Sequence, residues 1–243
     1  MTVNTSNILY GKVLVAAGDS FTEGDFNSFV DENGKSGKDS PVIYDKELGM
    51  YKTYPWWIAQ RNHMSVVNEA KCGSILALSR SHLDNKDQVP IENKLPFSLH
   101  RYQNLPDHID YLILEFGLND MYDTYLGDLE DTTNETFYGA WNVVYEYLIT
   151  KYPYTKIATI ISDSYLTADY RIAIIETAVR WGIPYLDLWS DPGLQATMKK
   201  GGMCQRAVEL RTAQYHVSPT NAHPNVKAHE ARSAQIEAFL RRI

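Results

Sequence analysis

The sequence predicts an α/β fold of three layers, in which helices cover both faces of a five-stranded parallel sheet. Short continuous apolar runs predict the strands, and stretches with apolar residues three or four apart, lying between and after those runs, predict the helices. The chain of 243 residues is read as one domain, 1–243, because α/β folds often reach about 250 residues as a single domain.

The five predicted strands are buried on both sides. Each run is continuous rather than alternating, which is typical of strands in a parallel sheet covered by helices. The intervals between runs are too long for hairpins, so longer crossovers connect them. The predicted strands are 12–17, 64–68, 111–116, 156–161 and 183–188.

Three helices are predicted from apolar periodicity and from residues that begin or end helices. Thr133 or Asn134 can cap the first and Pro153 stops it, while Gly182 suits the position just after the second. The third precedes the chain end and presents apolar residues to the sheet. The predicted helices are 134–152, 167–181 and 225–242.

Two long insertions interrupt this pattern, at about 25–53 and 80–108. Loops of this length are uncommon in compact domains unless they bind something, so both are expected to form the rim of a site. Aromatic and acidic side chains are concentrated in and just after the first insertion: Asp25, Asp31, Glu32, Asp39, Tyr44, Asp45, Tyr51, Tyr54, Trp56 and Trp57.

Composition excludes several classes of protein. With 23 Lys and Arg against 30 Asp and Glu, the net charge is −7 and no basic block is present, which argues against a nucleic-acid partner. No run of about 18 apolar residues predicts a membrane span, and the first residues lack the pattern of a secretory signal. Cys72 and Cys204 cannot make a disulfide framework, and no HxH or HExxH spacing predicts a metal site. Neither a metal nor another cofactor is expected, the protein is expected to be soluble, and the sequence leaves its compartment and oligomeric state open.

Four residues fall where an α/β sheet places its site, at strand ends or in a late loop. Ser20 lies in GDSFTEG after the first strand, Gly73 in NEAKCGS after the second, Asn119 in FGLND after the third, and His223 in HPN before the last helix. Each has an ordinary interpretation, respectively a helix cap, a turn glycine, a turn asparagine and an unremarkable histidine. Their joint order indicates a site.

Together these segments resemble the motif blocks of the SGNH (GDSL-type) hydrolase family over residues 12–243. The resemblance implies a flavodoxin-like α/β/α fold and ester hydrolysis through an acyl-enzyme. Ser20 would be the nucleophile and His223 its general base. The backbone N–H groups of Ser20 and Gly73 and the side-chain amide of Asn119 would form the oxyanion hole. Asp19 and Asp120 are interpreted as residues that pin turns by local hydrogen bonds.

One position departs from the family pattern. Where the family has an aspartate three residues before the histidine, this chain has Thr220. A backbone carbonyl near 218–220 could orient His223 in a Ser–His dyad, a carboxylate such as Asp187 or Asp191 could replace the aspartate, or the site could be weakened. The dyad is favoured because every other block is intact.

The expected substrate is a small-molecule or carbohydrate ester with a short acyl group, such as acetyl on a sugar. Aromatic faces with polar edges in and near the first insertion suit sugar rings, and its few aliphatic residues do not suit a long lipid chain. Two alternatives stay open: a lipase or thioesterase of the same family, and an inactive carbohydrate-binding module with this fold. A nucleotide-binding protein is excluded because neither GxGxxG nor GxxxxGK[ST] occurs. Cys72 is not expected to be a second nucleophile, because no motif places a histidine beside it.

Overall fold

The computed structural model describes residues 7–24, 44–163, 166–190 and 203–243. In chain order these form β1 (Val13–Gly18), α1 (Ser20–Glu23), β2 (Tyr44–Asp45), β3 (Met50–Tyr51), α2 (Tyr54–Asn62), β4 (Ser65–Asn68), α3 (Arg80–Asp84), a 3₁₀ helix (Arg101–Asn104), β5 (Tyr111–Glu115), α4 (Asp120–Asp123), α5 (Phe137–Lys151), β6 (Lys156–Ile161), α6 (Ala168–Trp181), β7 (Tyr185–Asp187), α7 (Gln205–Tyr215), β8 (His216–Ser218), β9 (Asn221–Pro224) and α8 (Val226–Leu240).

The central sheet has five parallel strands in the order β4-β1-β5-β6-β7. All five predicted strands are therefore confirmed, each within two residues of its predicted bounds. Because the strands are parallel, their carboxyl ends meet at one edge, where β1 and β5 lie side by side.

Each strand contributes to two hydrophobic cores, which explains the continuous apolar runs. Val15 and Ala17 pack in the core that α5 and α6 cover, whereas Leu14 and Ala16 pack in the core that α2 and α8 cover. Successive strand residues point to opposite faces, so most residues of a strand with helices on both sides must be apolar. The predicted α/β/α arrangement is confirmed.

The predicted helices are present, with one boundary corrected. The helix predicted at 134–152 begins at Phe137 rather than near Asn134, because Thr136 is extended and its side chain accepts a hydrogen bond from the N–H of Gly139 at 3.2 Å. The carbonyl of Asn134 instead accepts from the backbone of Leu78. Gly182 ends α6 with a φ of +64°, as its sequence position predicted.

Two predicted loops contain regular structure. The insertion at 80–108 holds α3 and the 3₁₀ helix, and it buries Phe97, Tyr102 and Leu105 in the core instead of forming only a rim. The segment before the last helix is an antiparallel hairpin of β8 and β9, whose strands are too short and too polar to be predicted from hydrophobic pattern. Residues 25–43, with all the acidic residues predicted for the rim except Asp45, lie outside the described ranges, as does Asp191.

A buried hydroxyl pair links α5 to the sheet and gives a test of the packing. Tyr145 and Thr159 are both fully buried, and their hydroxyl oxygens lie 2.7 Å apart. We expect Tyr145→Phe to lower the free energy of unfolding by about 1–3 kcal/mol, because it leaves the Thr159 hydroxyl without this partner. The double variant Tyr145→Phe/Thr159→Val should recover most of that loss in urea unfolding. A single variant as stable as the parent protein contradicts this account of the contact.

Candidate active site

The turn between β1 and α1 presents Ser20 at the carboxyl edge of the sheet. Asp19 caps α1, its carboxylate accepting from the N–H of Phe21 at 2.9 Å. A Cβ on Gly18 would lie 2.6 Å from the hydroxyl oxygen of Thr22 and 2.7 Å from the carbonyl oxygen of Glu115. Glycine is therefore required at position 18 if α1 is to approach β5 this closely.

His223 lies on β9 and reaches this turn from the other end of the chain. Its Nε2 atom is 2.9 Å from the Oγ atom of Ser20, although the two residues are 203 positions apart. Asn225, two residues later, ties the hairpin to α8. Its amide nitrogen donates to the carbonyls of Gln214 and His216, and its amide oxygen accepts from the N–H of Ala228.

Asn221 holds the other side of the His223 ring. Its Oδ1 atom lies 2.8 Å from Nδ1 of His223 and also accepts from the backbone N–H of His223 at 3.1 Å. A backbone N–H can only donate, so the atom facing it is the amide oxygen, and Nδ1 of the ring must then carry the proton. In this tautomer, Nε2 is left as the acceptor for the Ser20 hydroxyl.

The orienting group is therefore a side-chain amide, which none of the three sequence interpretations included. Thr220 is exposed, and its hydroxyl lies 3.3 Å from that of Ser218. Asp187 instead pairs with Arg171, its Oδ2 lying 3.0 Å from the guanidinium Nε. The one sequence signal at Asn221 is the tendency of asparagine to bond the backbone two residues later, and that tendency is too common to mark a functional residue.

Asn119 lies beside Ser20 and His223, and Gly73 occupies the neighbouring turn. The amide nitrogen of Asn119 donates one hydrogen to the carbonyl of Ser74 at 2.9 Å, and an amide has a second hydrogen to offer. Gly73 has a φ of +73°, which favours glycine. Of the four predicted site residues, all within the described ranges, Ser20, Asn119 and His223 line one cavity and Gly73 lies outside its lining.

Asp120 ties its own turn to the segment after Gly73 by long-range hydrogen bonds, not by the local bonds that the sequence analysis expected. One oxygen of its carboxylate accepts from the N–H groups of Leu76 at 2.8 Å and Ala77 at 3.1 Å. Burial raises the pKa of Asp120 to about 7, and these N–H groups oppose that rise.

The exposed Cys72 donates its backbone N–H to the carboxylate of Glu23, so the loop that holds Gly73 is also tied to α1.

The cavity at the site has a volume of about 390 Å³. Its lining combines the polar site residues with apolar side chains: Ser20, Phe21, Leu118, Asn119, Met121, Tyr122, Thr220, Asn221, Ala222 and His223. A larger cavity of about 500 Å³ lies at the opposite edge of the sheet, beside Lys156 and Ile183. Among the described residues, no serine, cysteine or histidine lines it, and none of the four predicted site residues does, so size alone does not identify the site.

Within the described ranges, no three His, Cys, Asp or Glu side chains converge as metal ligands would. Over the same residues, no helix is both long enough and apolar enough to cross a membrane.

No family model and no curated protein sequence matches the chain. Solved structures do match it. A protein from Lactobacillus plantarum is 21% identical with a TM-score of 0.67, and the match covers 96% of this chain and 98% of that one. A candidate GDSL-like lipase from Bacteroides ovatus is 17% identical with a TM-score of 0.64, covering 96% and 99%. An acetyl xylan esterase from Butyrivibrio proteoclasticus is 14% identical with a TM-score of 0.52, covering 96% of this chain and 64% of that one.

At these identities the likeness shows a shared fold. The chain is thus an α/β protein with the fold of the SGNH hydrolases, as its motif blocks implied. Among these structural neighbours are proteins described as lipases and esterases.

The buried Asp19 gives a test of the electrostatics of the turn between β1 and α1. Burial, and then the nearby Glu115 carboxylate, raise the pKa of Asp19 to about 8. In the unfolded chain the pKa of an aspartate is about 3.9. The contribution of Asp19 to the free energy of unfolding is therefore fully present below about pH 4 and is lost as the pH rises through about 8. Asp19→Asn keeps an acceptor for Phe21 and removes the titration. We expect urea unfolding to show the variant more stable than the parent at pH 8.5, with the difference shrinking toward pH 5.

Asp187→Asn is the control of opposite sign. Hydrogen bonds from Arg171 and Ser190, together with the charge of Arg171, outweigh burial and lower the pKa of Asp187. This variant should be less stable than the parent at neutral pH, with the difference vanishing in acid. A pH-independent effect of Asp19→Asn contradicts the assignment for Asp19.

Proposed function

We propose that the chain is a serine esterase that removes short acyl groups, such as acetyl, from a carbohydrate. The observation that carries this proposal is the hydrogen-bonded series Ser20–His223–Asn221, with distances of 2.9 and 2.8 Å, beside a cavity that Asn119 also lines. A hydroxyl, an oriented neutral imidazole and an amide donor are the groups that acyl transfer requires.

In the first half of the reaction, Oγ of Ser20 attacks the ester carbonyl carbon while Nε2 of His223 takes the hydroxyl proton. The electron pair of the carbonyl moves to its oxygen. The N–H groups of Ser20 and Gly73 and the second amide hydrogen of Asn119 are the proposed donors to that oxyanion. The intermediate collapses, the carbon–oxygen bond to the alcohol breaks, and the imidazolium returns its proton to the departing alcohol.

In the second half, His223 takes a proton from water, which attacks the acyl group on Ser20. Collapse of this intermediate releases the acid and returns the proton to Oγ. Asn221 keeps Nδ1 protonated throughout but, being neutral, cannot offset the imidazolium charge as a carboxylate does. A neutral amide in this role is known from the Cys-His-Asn triads of other hydrolases.

The cavity supports a small acyl group and a polar alcohol. Leu118, Met121 and Ala222 give it apolar walls, whereas Thr220 at its edge is polar. Tyr122 lines the same cavity with 65% of its surface exposed, as an aromatic ring that stacks on a sugar would be. An acetyl xylan esterase among the structural neighbours agrees with this substrate class.

Part of the predicted aromatic rim belongs to the fold instead. Tyr54 is fully buried, and Trp56 donates to Asp45 at 2.8 Å while packing edge-to-face on Trp57. The likeness to a candidate GDSL-like lipase favours a longer acyl chain as the second candidate function.

A panel of 4-nitrophenyl esters of rising chain length, with acetylated xylan, tests the proposal. We expect kcat/KM to be highest for acetate or butyrate and acetate to be released from xylan. Ser20→Ala and His223→Ala should each lower kcat by about 10³-fold or more, because the nucleophile and its base act as a unit.

Three outcomes bear against parts of this proposal. A preference for octanoate over acetate supports the lipase and contradicts the short-acyl assignment. Activity that survives Ser20→Ala contradicts the assigned nucleophile. A folded protein that hydrolyses no ester and does not react with a fluorophosphonate probe supports the carbohydrate-binding module.

Asn221 is tested by two substitutions with opposite electrostatic effects. Asn221→Ala removes the acceptor for Nδ1, so kcat should fall by about 10–10²-fold. Asn221→Asp keeps an acceptor and adds a negative charge, so kcat should hold or rise and the acidic limb of the pH–rate profile should move to higher pH. Thr220→Ala is the matched comparison, since Thr220 occupies the position of the family aspartate. A larger loss from Thr220→Ala than from Asn221→Ala contradicts the role of Asn221.

A further inference from the structure

A buried cluster of three charged side chains lies behind the turn between β1 and α1 that carries Ser20, here called the nucleophile turn. Arg232 of α8 has no exposed side-chain surface, and its two carboxylate partners, Glu115 at the end of β5 and Asp163 after β6, are 2% and 5% exposed. The guanidinium contacts the Glu115 carboxylate, and its Nε atom lies 3.4 Å from Oδ1 of Asp163. Because a buried ion pair of this kind seldom adds net stability over an apolar replacement, stability alone does not account for it.

The cluster continues by hydrogen bonds into α1. The second oxygen of Glu115 accepts from the hydroxyl of Thr22 at 3.0 Å, and the Tyr54 hydroxyl lies 2.9 Å from the same Thr22 oxygen. The backbone carbonyl of Thr22 accepts from Thr53 at 2.8 Å and Asn68 at 3.0 Å. A helix of four residues cannot maintain itself, so these tertiary contacts determine where α1, and with it Ser20, is held.

A second contact runs from Arg232 to the base. The guanidinium lies over the ring of Phe21, 5.7 Å from its centroid, and the Phe21 ring packs against the imidazole of His223 with 5.4 Å between centroids. The same guanidinium lies 5.4 Å from the ring centroid of Tyr54. Phe21 and Thr22 are the two residues after Ser20, so Arg232 acts on the nucleophile turn through both.

We propose that Arg232 is a positioning residue, which sets the alignment of Ser20 with His223 through Glu115 and Thr22 on one path and through Phe21 on the other. This inference rests on the proposed function. It explains why a fully buried cation stands where an apolar side chain would fill the core.

Arginine suits this place better than lysine. The planar guanidinium contacts two aromatic rings while its nitrogen atoms face two carboxylates. A lysine ammonium is a compact charge that reaches one carboxylate but presents no flat surface to Phe21 and Tyr54.

The test separates positioning from folding. Arg232→Met alone leaves two buried carboxylates without their cation, so the triple variant Glu115→Gln/Asp163→Asn/Arg232→Met, which removes all three charges, is the main probe. Glu115→Gln keeps an acceptor for Thr22. We expect the triple variant to keep its circular dichroism spectrum and a thermal midpoint near that of the parent. Its kcat for 4-nitrophenyl acetate should fall about tenfold or more, with KM within about threefold. Labelling of Ser20 by a fluorophosphonate probe should slow in parallel.

Arg232→Lys is measured beside it and keeps the proposal testable if the triple variant does not fold. We expect Arg232→Lys to have a kcat below that of the parent and above that of any folded variant without a cation, again with little change in KM. Arg171→Met/Asp187→Asn is the matched control. It removes another partly buried pair, which joins α6 to β7, and it should leave kcat unchanged.

Folded Arg232 variants whose kcat equals that of the parent overturn the positioning role. A second outcome also overturns the positioning role. If kcat and the thermal midpoint fall in proportion to each other, both in the Arg232 variants and in the control variant, the cluster serves stability alone. If the parent protein itself neither hydrolyses the ester nor reacts with the probe, the proposed function is contradicted. This outcome is distinct from a failure of the positioning role, in which the parent protein is active and the Arg232 variants are equally active.

Discussion

The contact on which the site depends is the hydrogen bond between Oγ of Ser20 and Nε2 of His223. It joins two short elements, a helix of four residues after β1 and a small hairpin before α8, and neither is long enough to hold its own position. The sheet supplies the common edge at which they meet. Asp19, Asn225 and the buried partners of Thr22 then hold each element against that edge.

The site also separates neutral groups from charged ones. Neutral side chains contact the imidazole directly, with Asn221 at Nδ1 and Phe21 against the ring. The charges of Glu115, Asp163 and Arg232 lie behind, enclosed in the core. A carboxylate in the place of Asn221 would favour the protonated base, whereas an amide favours the neutral imidazole that accepts the serine proton. The use of the Asn221 amide, with a threonine at position 220 where the family has aspartate, is thus consistent with the proposed role of His223 as a base.

The fold could be predicted because its signals are local. Strands buried on both faces are predominantly apolar, and β1, β5 and β6 show this, with Glu115 and Thr159 as buried polar exceptions. Ser20, Asn119 and His223 could be placed because strand ends and motif order mark them. Asn221 could not be identified from the sequence, because an asparagine in a turn bonds nearby backbone in many loops that have no function. Arg232 lies among helical residues of ordinary pattern, and its partners Glu115 and Phe21 are more than a hundred positions away in sequence, so only the folded chain brings them together.

In the proposed mechanism, Ser20 carries the acyl group between the two halves of the reaction. Rapid quenching of the protein with 4-nitrophenyl acetate, followed by intact mass measurement and peptide mapping, tests this directly. The predicted result is a transient mass increase of one acetyl group on the peptide that contains Ser20, absent in Ser20→Ala and slowed in His223→Ala. Ester hydrolysis without that adduct, or an adduct on another residue, contradicts the account.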